Sequence, residues 1–433
     1  MRTLFAATAA FALMASSALA QTAQKPKEIV VGITTYLSGA ASVFGVPGRD
    51  AADLLIEEIN AKGGIQGVPI RPIYIDEGAG TENLLSEYRR VSQAENAAFT
   101  LAAISSGNCN ALVPVAEDLK QPNIMWDCGT QQIFEEKRYR YSFRTQANAT
   151  PEMVATLLYL LQAKPDFKTI AVVNQDYAWG RDSWHIFSTA LKALKPDVRV
   201  VAEMFPKFGA PDYSTEITRL SALRPDVILS TSWGGDLDTF VRQAAARGLL
   251  KQSTFVLPLA ESSLQRLGDT LPDGVIVGAR GDHWFLHPAV EDPARHKAFV
   301  DKYKAKTGSY PIYPTYHMAQ AIAAMQAAFD KAIKAANGGW PTREQLADAM
   351  KGLEFRGLTR TVRLREDNQG LEDQLLGTTK RVGEYPFAVL DAMKLYPAEL
   401  VTTPVGQKSE EWVKTLDKGL PTNSKIQTFA YKP

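Results

Sequence analysis

The sequence predicts an α/β fold made of two units, each a parallel sheet flanked by helices. From residue 28 onward, apolar runs alternate with amphipathic stretches, which is the pattern of strands and helices taking turns. This series occurs twice, with the break near residues 141–144. With 433 residues and 45% hydrophobic content, the chain is long enough for two domains with ordinary cores.

The first series predicts an alternating set of strands and helices. Strands are expected at 29–34, 70–75, 100–104 and 123–126. Helices are expected at 49–61, at 82–94 and near 111–119. In the first helix, Ala51, Leu55 and Ile59 recur at helical spacing and define one apolar face.

The second series repeats this pattern. Its strands are expected at 169–174, 199–205, 227–232, 254–257 and 274–277. Its helices are expected at 153–161, 181–194, 214–223 and 236–247. Alanine-rich helices at 293–307 and 316–336 are expected to pack back on the first unit, and the chain from 358 to mix short strands with turns.

The N-terminal residues predict an exported protein. A short basic end is followed by an apolar run over 4–15 and by Ala18-Leu19-Ala20, which is typical of a signal peptide over 1–20 that is cut after Ala20. The apolar run is too short to span a bilayer, and no cysteine stands near the cut to carry a lipid. The expected location is the periplasm.

Charge and motifs argue against several classes of function. The 48 Lys and Arg residues balance 47 Asp and Glu residues, so the chain has no excess charge to attract nucleic acid. The sequence contains no nucleophile elbow, phosphate-binding loop or dinucleotide fingerprint, and its five histidines show no metal-ligand spacing. We therefore expect a binding protein rather than an enzyme, without a cofactor or a metal.

The chain has two cysteines, Cys109 and Cys128. An exported protein permits a disulfide between them. The alternative is a pair of small buried apolar residues, because sequence spacing does not fix the distance between two cysteines.

The topology of parallel sheets selects the loops that form a binding site. Ligands bind at the carboxyl ends of the strands, where helix N-termini present free amides. The loops so selected are 36–45, 105–108, 127–131, 174–180, 233–236 and 259–262.

Several motifs at these loops carry a family resemblance. The strongest is Gly48-Arg49-Asp50-Ala51-Ala52 followed by Glu58-Ile59-Asn60-Ala61-Lys62-Gly63-Gly64-Ile65-Gln66-Gly67, a helix with a glycine stop. Further matching stretches are 106–107, 114–116, 176–180, 224–227 and 244–249. The sequence resembles the periplasmic amino-acid-type binding proteins of ABC importers, the group that contains the leucine/isoleucine/valine-binding protein.

The resemblance implies a type I periplasmic binding protein, in which two Rossmann-like α/β lobes with parallel central sheets are joined by a three-segment hinge and close on a ligand. Carried over to this chain, lobe 1 covers 28–145 plus 282–357 and lobe 2 covers 146–281 plus 358–395. The C-terminal tail is then 396–433.

The resemblance and the loop positions together give candidate binding residues in lobe 1. Ser105, Ser106 and Gly107 are expected to hold a ligand carboxylate, although Ser106 as a plain helix cap is the alternative. Gly129 and Thr130 are expected to hold the same carboxylate, with a turn role as the alternative for Thr130. Cys128 stands where the family places a small residue.

Candidate residues from the remaining loops would form the rest of the site. Tyr177 and Trp233 are expected as aromatic walls, with Gly234 permitting close backbone approach. Glu261 matches a family position that binds the ligand's ammonium group, and a solvated surface charge is the alternative. The family places an aromatic residue near the ligand side chain at Tyr313. Additional wall candidates are Phe44, Trp126 and Trp284.

The resulting hypothesis is a monomeric solute-binding protein that captures a small carboxylate and delivers it to an inner-membrane ABC permease. An α-amino acid and an aromatic or apolar acid both remain open as ligands. A sensory subunit that presents its ligand to a membrane receptor is the alternative from another class, and an exported hydrolase is a third.

Overall fold

The computed structural model describes residues 23–285 and 290–430. The predicted signal peptide lies outside these residues. The strands are β1 Ile29–Thr35, β2 Ile70–Asp76, β3 Phe99–Leu101, β4 Asn123–Met125, β5 Ser142–Arg144, β6 Thr169–Val173, β7 Arg199–Met204, β8 Val227–Leu229, β9 Thr254–Leu257, β10 Ile276–Gly278, β11 Glu354–Arg356, β12 Thr361–Leu364, β13 Gly370–Leu371, β14 Gln374–Arg381, β15 Ala388–Tyr396 and β16 Gln427–Phe429. The helices are α1 Ser42–Ala61, α2 Thr81–Gln93, α3 Ser106–Asp118, α4 Gln132–Glu136, α5 Ala149–Ala163, α6 Ala178–Leu194, α7 Ser214–Leu223, α8 Gly234–Ala246, α9 Leu264–Leu267, α10 Pro293–Thr307, α11 Tyr313–Ala335, α12 Arg343–Met350, α13 Ala398–Val401 and α14 Ser409–Val413. None of these helices is both long and apolar enough to cross a membrane.

Lobe 1 is built on a five-stranded parallel sheet in the order β2-β1-β3-β4-β5. Helix α11 packs along α1 on this lobe, as the sequence predicts for the alanine-rich region, and α12 packs on α11. The strands of the sheet center are fully buried, which explains why they are short apolar runs in the sequence.

Lobe 2 is built on an eight-stranded sheet in the order β16-β15-β14-β10-β9-β8-β6-β7. Strands β6 to β10 are parallel, whereas β14, β15 and β16 add in antiparallel pairs. The C-terminal residues are therefore part of lobe 2, because β16 pairs with β15 and α14 packs on α6. This corrects the prediction of a separate tail over 396–433.

The chain crosses between the lobes three times, after β5, after β10 and between β13 and β14. The third crossing differs from the predicted boundary at 358. Strand β12 pairs with β11 on one side and with β13 on the other in a separate three-stranded sheet, and Gln369 bridges to Arg144 beside lobe 1. Since β14 is the next strand to enter the lobe 2 sheet, the crossing occurs at about residues 372–373.

Local signals explain where two of the helices begin. The prediction for α10 is exact because Asp292 accepts a hydrogen bond from the Arg295 amide at 3.0 Å and Pro293 occupies the first turn. Helix α1 starts seven residues before the predicted position 49, with Pro47 inside it. Because proline lacks an N–H group, the Val43 carbonyl has no helical donor, and Arg266 of lobe 2 donates to it instead.

Cys109 of α3 and Cys128 in the loop after β4 form a disulfide, and both residues are fully buried. The bond ties the first turn of a helix that borders the cleft to the loop of the neighbouring strand. Of the two alternatives that the sequence leaves open, the structure has the paired form.

Reduction of this disulfide is expected to destabilise the protein without unfolding it at room temperature. The bond closes a loop with a sequence separation of 19, for which chain entropy predicts a loss of about 3 kcal/mol. The measurement is urea unfolding of the C109S/C128S variant against the oxidised protein. An unchanged midpoint in the variant would show that the bond is absent from the native protein.

Candidate ligand-binding site

The two lobes are closed on each other in this structure. The Gly235 amide at the start of α8 donates to the Ala40 carbonyl of lobe 1 at 3.0 Å. The rings of Phe44 and Trp233, one from each lobe, have centroids 4.9 Å apart, and Tyr36 lies 5.8 Å from Trp233. The lobes therefore meet through aromatic rings and backbone groups at the mouth of the cleft.

A small cavity lies between the lobes. Its lining residues are Phe44, Ile104, Ser106, Asp127, Gly129, Tyr177, Trp179, Trp233, Leu259 and Arg280. Most of them follow the carboxyl ends of parallel strands, namely β3, β4, β6, β8, β9 and β10. The cavity has a volume of about 20 Å³, which is room for about one water molecule.

Arg280 is the basic group of this cavity. It is 4% exposed and lies on the second crossing, just after β10. Its Nε donates to Glu152 of lobe 2 at 2.8 Å, and its Nη1 donates to Asp127 of lobe 1. The guanidinium also lies 5.6 Å from the ring center of Trp179. One side chain thus connects both lobes and the hinge.

Three polar atoms of this arrangement have no hydrogen-bond partner within residues 23–285 and 290–430. They are Nη2 of Arg280, Oδ2 of Asp127 and Oε2 of Glu152, and only the first two belong to residues that line the cavity. Nη2 lies 2.7 Å from Glu152 Oε1, but their relative orientation does not form a hydrogen bond. Because a buried polar atom without a partner is costly, Nη2 of Arg280 and Oδ2 of Asp127 are the points where a ligand in the cavity gains most from binding.

Burial and mutual attraction shape the ionisation of this cluster. Burial raises the pKa of Glu152 to about 7, and Arg280 opposes that rise. Burial disfavours the charged form of Arg280, but Asp127 and Glu152 outweigh it and hold its pKa well above the usual value. Burial likewise opposes a charge on His317, but Asp127 and Glu372 raise its pKa. Arg280, Asp127, Glu152 and His317 therefore form one network of interacting charges. The charge of a ligand bound beside Arg280 would change the protonation of the other groups.

Four of the residues predicted for the site line the cavity: Ser106, Gly129, Tyr177 and Trp233. Ser105 and Gly107 flank Ser106 at the start of α3, but neither residue lines the cavity. Ser106 Oγ accepts from the Thr130 amide at 3.1 Å, so a capping role for the following helix is not its contact here.

Three other predicted residues have different contacts. Thr130 Oγ1 donates to Asp182 of lobe 2 at 2.7 Å, which makes it a contact between lobes. Cys128 is in the disulfide. Gly234 has φ of +63° and lies against the backbone of Ala40 and Ala41, so its close approach is to lobe 1.

Glu261 and Tyr313 lie behind the cavity wall. Glu261 is 2% exposed, which excludes the alternative of a solvated surface charge. Its Oε1 bonds to His283 Nδ1 at 2.9 Å, and its Oε2 accepts from the Tyr313 amide at 2.8 Å. Both oxygens are thus engaged away from a ligand. The Tyr313 ring packs 5.3 Å from the Arg280 guanidinium.

Three further residues line the cavity without being among the predicted binding residues: Trp179, Asp127 and Arg280. Trp179 and Asp127 belong to loops selected by the rule that ligands bind at the carboxyl ends of parallel strands, but the sequence alone predicts no binding role for them. Applied to the strand predicted at 274–277, the same rule would also have selected Arg280. Among the further aromatic candidates, Phe44 lines the cavity, whereas Trp284 stacks on Tyr310 at 3.8 Å.

Two α/β lobes, three crossings and a cavity at the strand ends of both sheets define a hinged binding protein that encloses a small solute. Comparison with known families agrees with this class. A family model described as "Periplasmic binding protein" matches residues 28–381. The chain belongs to the periplasmic binding protein family, of the branched-chain amino-acid type that serves ABC transporters.

Individual relatives show the range of this family. The chain is 29% identical over 314 residues to a Leu/Ile/Val-binding protein homolog of Brucella melitensis, which covers 69% of this chain and 76% of the relative. A solute-binding protein from Rhodopseudomonas palustris with bound 3,4-dihydroxybenzoic acid has a TM-score of 0.74 at 21% identity, covering 88% of this chain and 100% of that one. Another R. palustris structure, with benzoate, has a TM-score of 0.73 at 20% identity, covering 88% and 99%.

Proposed function

We propose that this protein captures a small aromatic carboxylate between its lobes, in the periplasm, and delivers it to an inner-membrane ABC permease. The observation that carries the proposal is the composition of the cavity. Aromatic rings surround one buried guanidinium whose Nη2 has no hydrogen-bond partner, although it lies beside the Glu152 carboxylate. This arrangement suits a flat apolar body with a carboxylate at one end.

The contacts on each side of the cavity support this ligand class. Phe44 belongs to lobe 1, whereas Tyr177, Trp179 and Trp233 belong to lobe 2, so a planar ring between them would be held by both. A carboxylate oxygen would accept from Nη2 of Arg280 and complete its hydrogen bonding. The aromatic acids bound to two structurally similar proteins are consistent with this proposal.

Binding then requires movement of the lobes. A ring does not fit into about 20 Å³, so the ligand enters an open form and shifts the equilibrium toward closure by touching both lobes. The work is done by binding and closure in a monomer, without a cofactor or a chemical step. The relatives named above are binding proteins, which favours transport over the hydrolase alternative.

A second candidate ligand is an α-amino acid. The free Oδ2 of Asp127 lies on the carboxylate that pairs with Arg280, so the cavity offers an acceptor beside its donor. An α-amino acid carries an ammonium group next to its carboxylate and matches that adjacency. If the ligand is an α-amino acid, Asp127 binds its ammonium group, which is the role that the family resemblance implies for Glu261.

A ligand panel with the Asp127→Asn variant distinguishes the two candidates. We expect benzoate and 4-hydroxybenzoate to bind the purified mature protein with micromolar dissociation constants by calorimetry, and leucine and phenylalanine not to bind. Asp127→Asn keeps an acceptor for Arg280 and removes a competing negative charge, so benzoate affinity should stay or rise.

The matched control is Asp166→Asn, since the Asp166 side chain is 82% exposed. If leucine binds the wild type and Asp127→Asn weakens it at least tenfold, the amino-acid candidate is correct. If calorimetry shows no heat of binding for any carboxylate in the panel, both candidate ligands are wrong.

A further inference from the structure

Arg144 is a buried arginine outside the cleft cavity. It ends β5 at the first crossing between the lobes and is 0% exposed. Its amide donates to the Asn368 carbonyl at 3.0 Å, which fixes the backbone beside the third crossing. A guanidinium in such a position carries a large desolvation cost and requires compensation.

The side chain of Arg144 has incomplete hydrogen bonding. Nη1 donates to the amide oxygen of Gln369 at 3.2 Å, and the guanidinium lies 5.4 Å from the ring center of Phe134. Nε and Nη2 have no partner in the described parts of the chain. Burial, followed by the charge of Arg280, lowers the pKa of Arg144 to about 9, which reflects a cation without a close counter-ion.

The acidic residues nearest to Arg144 are engaged elsewhere. Glu135 accepts from the Ser409 amide at 3.0 Å and from its hydroxyl. Glu152 pairs with Arg280, and Asp367 pairs with Arg365. In the part of the chain that the structure describes, none of these three carboxylates forms a hydrogen bond with the Arg144 guanidinium, although their charges act on it from a distance and raise its pKa.

The two unpartnered nitrogens lie on one edge of the planar guanidinium, with their N–H bonds nearly parallel. That edge matches the two oxygens of a carboxylate. This protein uses the same edge elsewhere, since Arg266 donates through Nε to Asp238 Oδ2 at 2.7 Å and through Nη2 to Asp238 Oδ1 at 3.2 Å. Arg144 presents the same donor pair without the carboxylate.

A second cavity reaches this part of the molecule from the surface. Phe134 and Gln369, the two contacts of the Arg144 guanidinium, both line it. Its volume is about 310 Å³, and Arg144 itself is not among its lining residues, so a small anion in this cavity reaches the guanidinium only when Phe134 or Gln369 moves aside. The lining combines lobe 1 at 131–138, the third segment at 365–369 and the lobe 2 extension at 402–408.

We propose that the Nε and Nη2 edge of Arg144 is a binding site for a small carboxylate anion, separate from the cleft between the lobes. The anion forms two parallel hydrogen bonds and supplies the missing negative charge. Because the neighbouring cavity is lined by both lobes and the third segment, an occupied site stabilises the closed arrangement from behind the hinge.

Thermal unfolding of the full mature protein in sodium formate tests this site. We expect formate to raise the melting temperature by several degrees over sodium chloride at equal ionic strength, because a ligand that binds the folded state stabilises it. Arg144→Met removes the charge, and Arg144→Lys keeps the charge but lacks the paired edge. Both should lose the difference between formate and chloride. The control Arg219→Met removes an exposed cation of α7, outside this cavity, and should keep the difference.

Equal melting temperatures of the wild type in formate and chloride would overturn the proposal. So would a formate effect that persists in Arg144→Met, because the anion would then bind elsewhere, including the cleft. If the Arg144 variants do not fold, a crystal structure of the wild type in formate decides. Formate on the Nε and Nη2 edge supports the site, whereas water, chloride or the Glu135 carboxylate there contradicts it.

Discussion

Replacing Gly129 with alanine is expected to keep the lobes apart and to lower ligand affinity at least a hundredfold. A Cβ atom at this position would lie 2.3 Å from Cε3 and 2.5 Å from Cζ3 of Trp179. The indole is buried, and its Nε1 donates to the Thr231 carbonyl at 2.9 Å, so it cannot easily move away. Since Gly129 belongs to lobe 1 and Trp179 to lobe 2, opening the hinge relieves the clash without unfolding either lobe.

Calorimetry and small-angle scattering check this prediction together. The wild type should bind its carboxylate and show a smaller radius of gyration with ligand, whereas Gly129→Ala should show neither effect and melt within a few degrees of the unliganded wild type. Gly107→Ala is the control, because a Cβ atom there meets its nearest neighbour, Ser105 Oγ, at 3.7 Å. A Gly129→Ala protein that closes on ligand would show that the lobes meet differently.

Most of the fold follows from local patterns in the sequence. Helix α7, strand β9 and helix α10 have the predicted bounds. Strand β9 is a short buried apolar run, and α10 begins at the Asp292 cap with Pro293 in its first turn. The start of α1 was missed because Pro47 and the neighbouring glycines read as helix breakers. The lobe 2 position of β16 was also missed. An exposed edge strand of three residues has almost no pattern of its own and is defined by its partner β15.

The sequence predicts a cavity-lining residue only where the position of its loop, directly after a parallel strand, is enough to place it. The predicted residues Ser106, Gly129, Tyr177 and Trp233 line the cavity because strand order places their loops at one edge of each sheet. The charge network was not found, since Arg280 pairs with residues 153 and 128 positions away in the chain. For the same reason the burial of Glu261 beside His283 could not be told from a surface charge.

Removing Arg280 from its pairs with Asp127 and Glu152 is expected to change both ligand affinity and stability. Arg280→Met should weaken benzoate binding at least tenfold, because it removes the charged donor of the cavity. It should also lower the free energy of unfolding at pH 8 by about 3 to 5 kcal/mol, since Glu152 remains as a buried charge without its partner and Asp127 keeps only His317. The control Arg90→Met removes an arginine that also pairs with two carboxylates, but at the surface, and should change stability little.

The pH dependence distinguishes this cause from lost packing. The pKa of Glu152 is raised in the folded protein, so its contribution is most favourable below the ordinary value near 4.5 and is lost as the pH rises through about 7. Without Arg280 the rise is larger, and urea unfolding should show a smaller deficit for Arg280→Met at pH 5.5 than at pH 8. Adding Glu152→Gln should recover part of the deficit at pH 8 and little at pH 5.5. An equal loss at both pH values, with no recovery in the double variant, would mean that Arg280 stabilises the hinge through packing rather than charge.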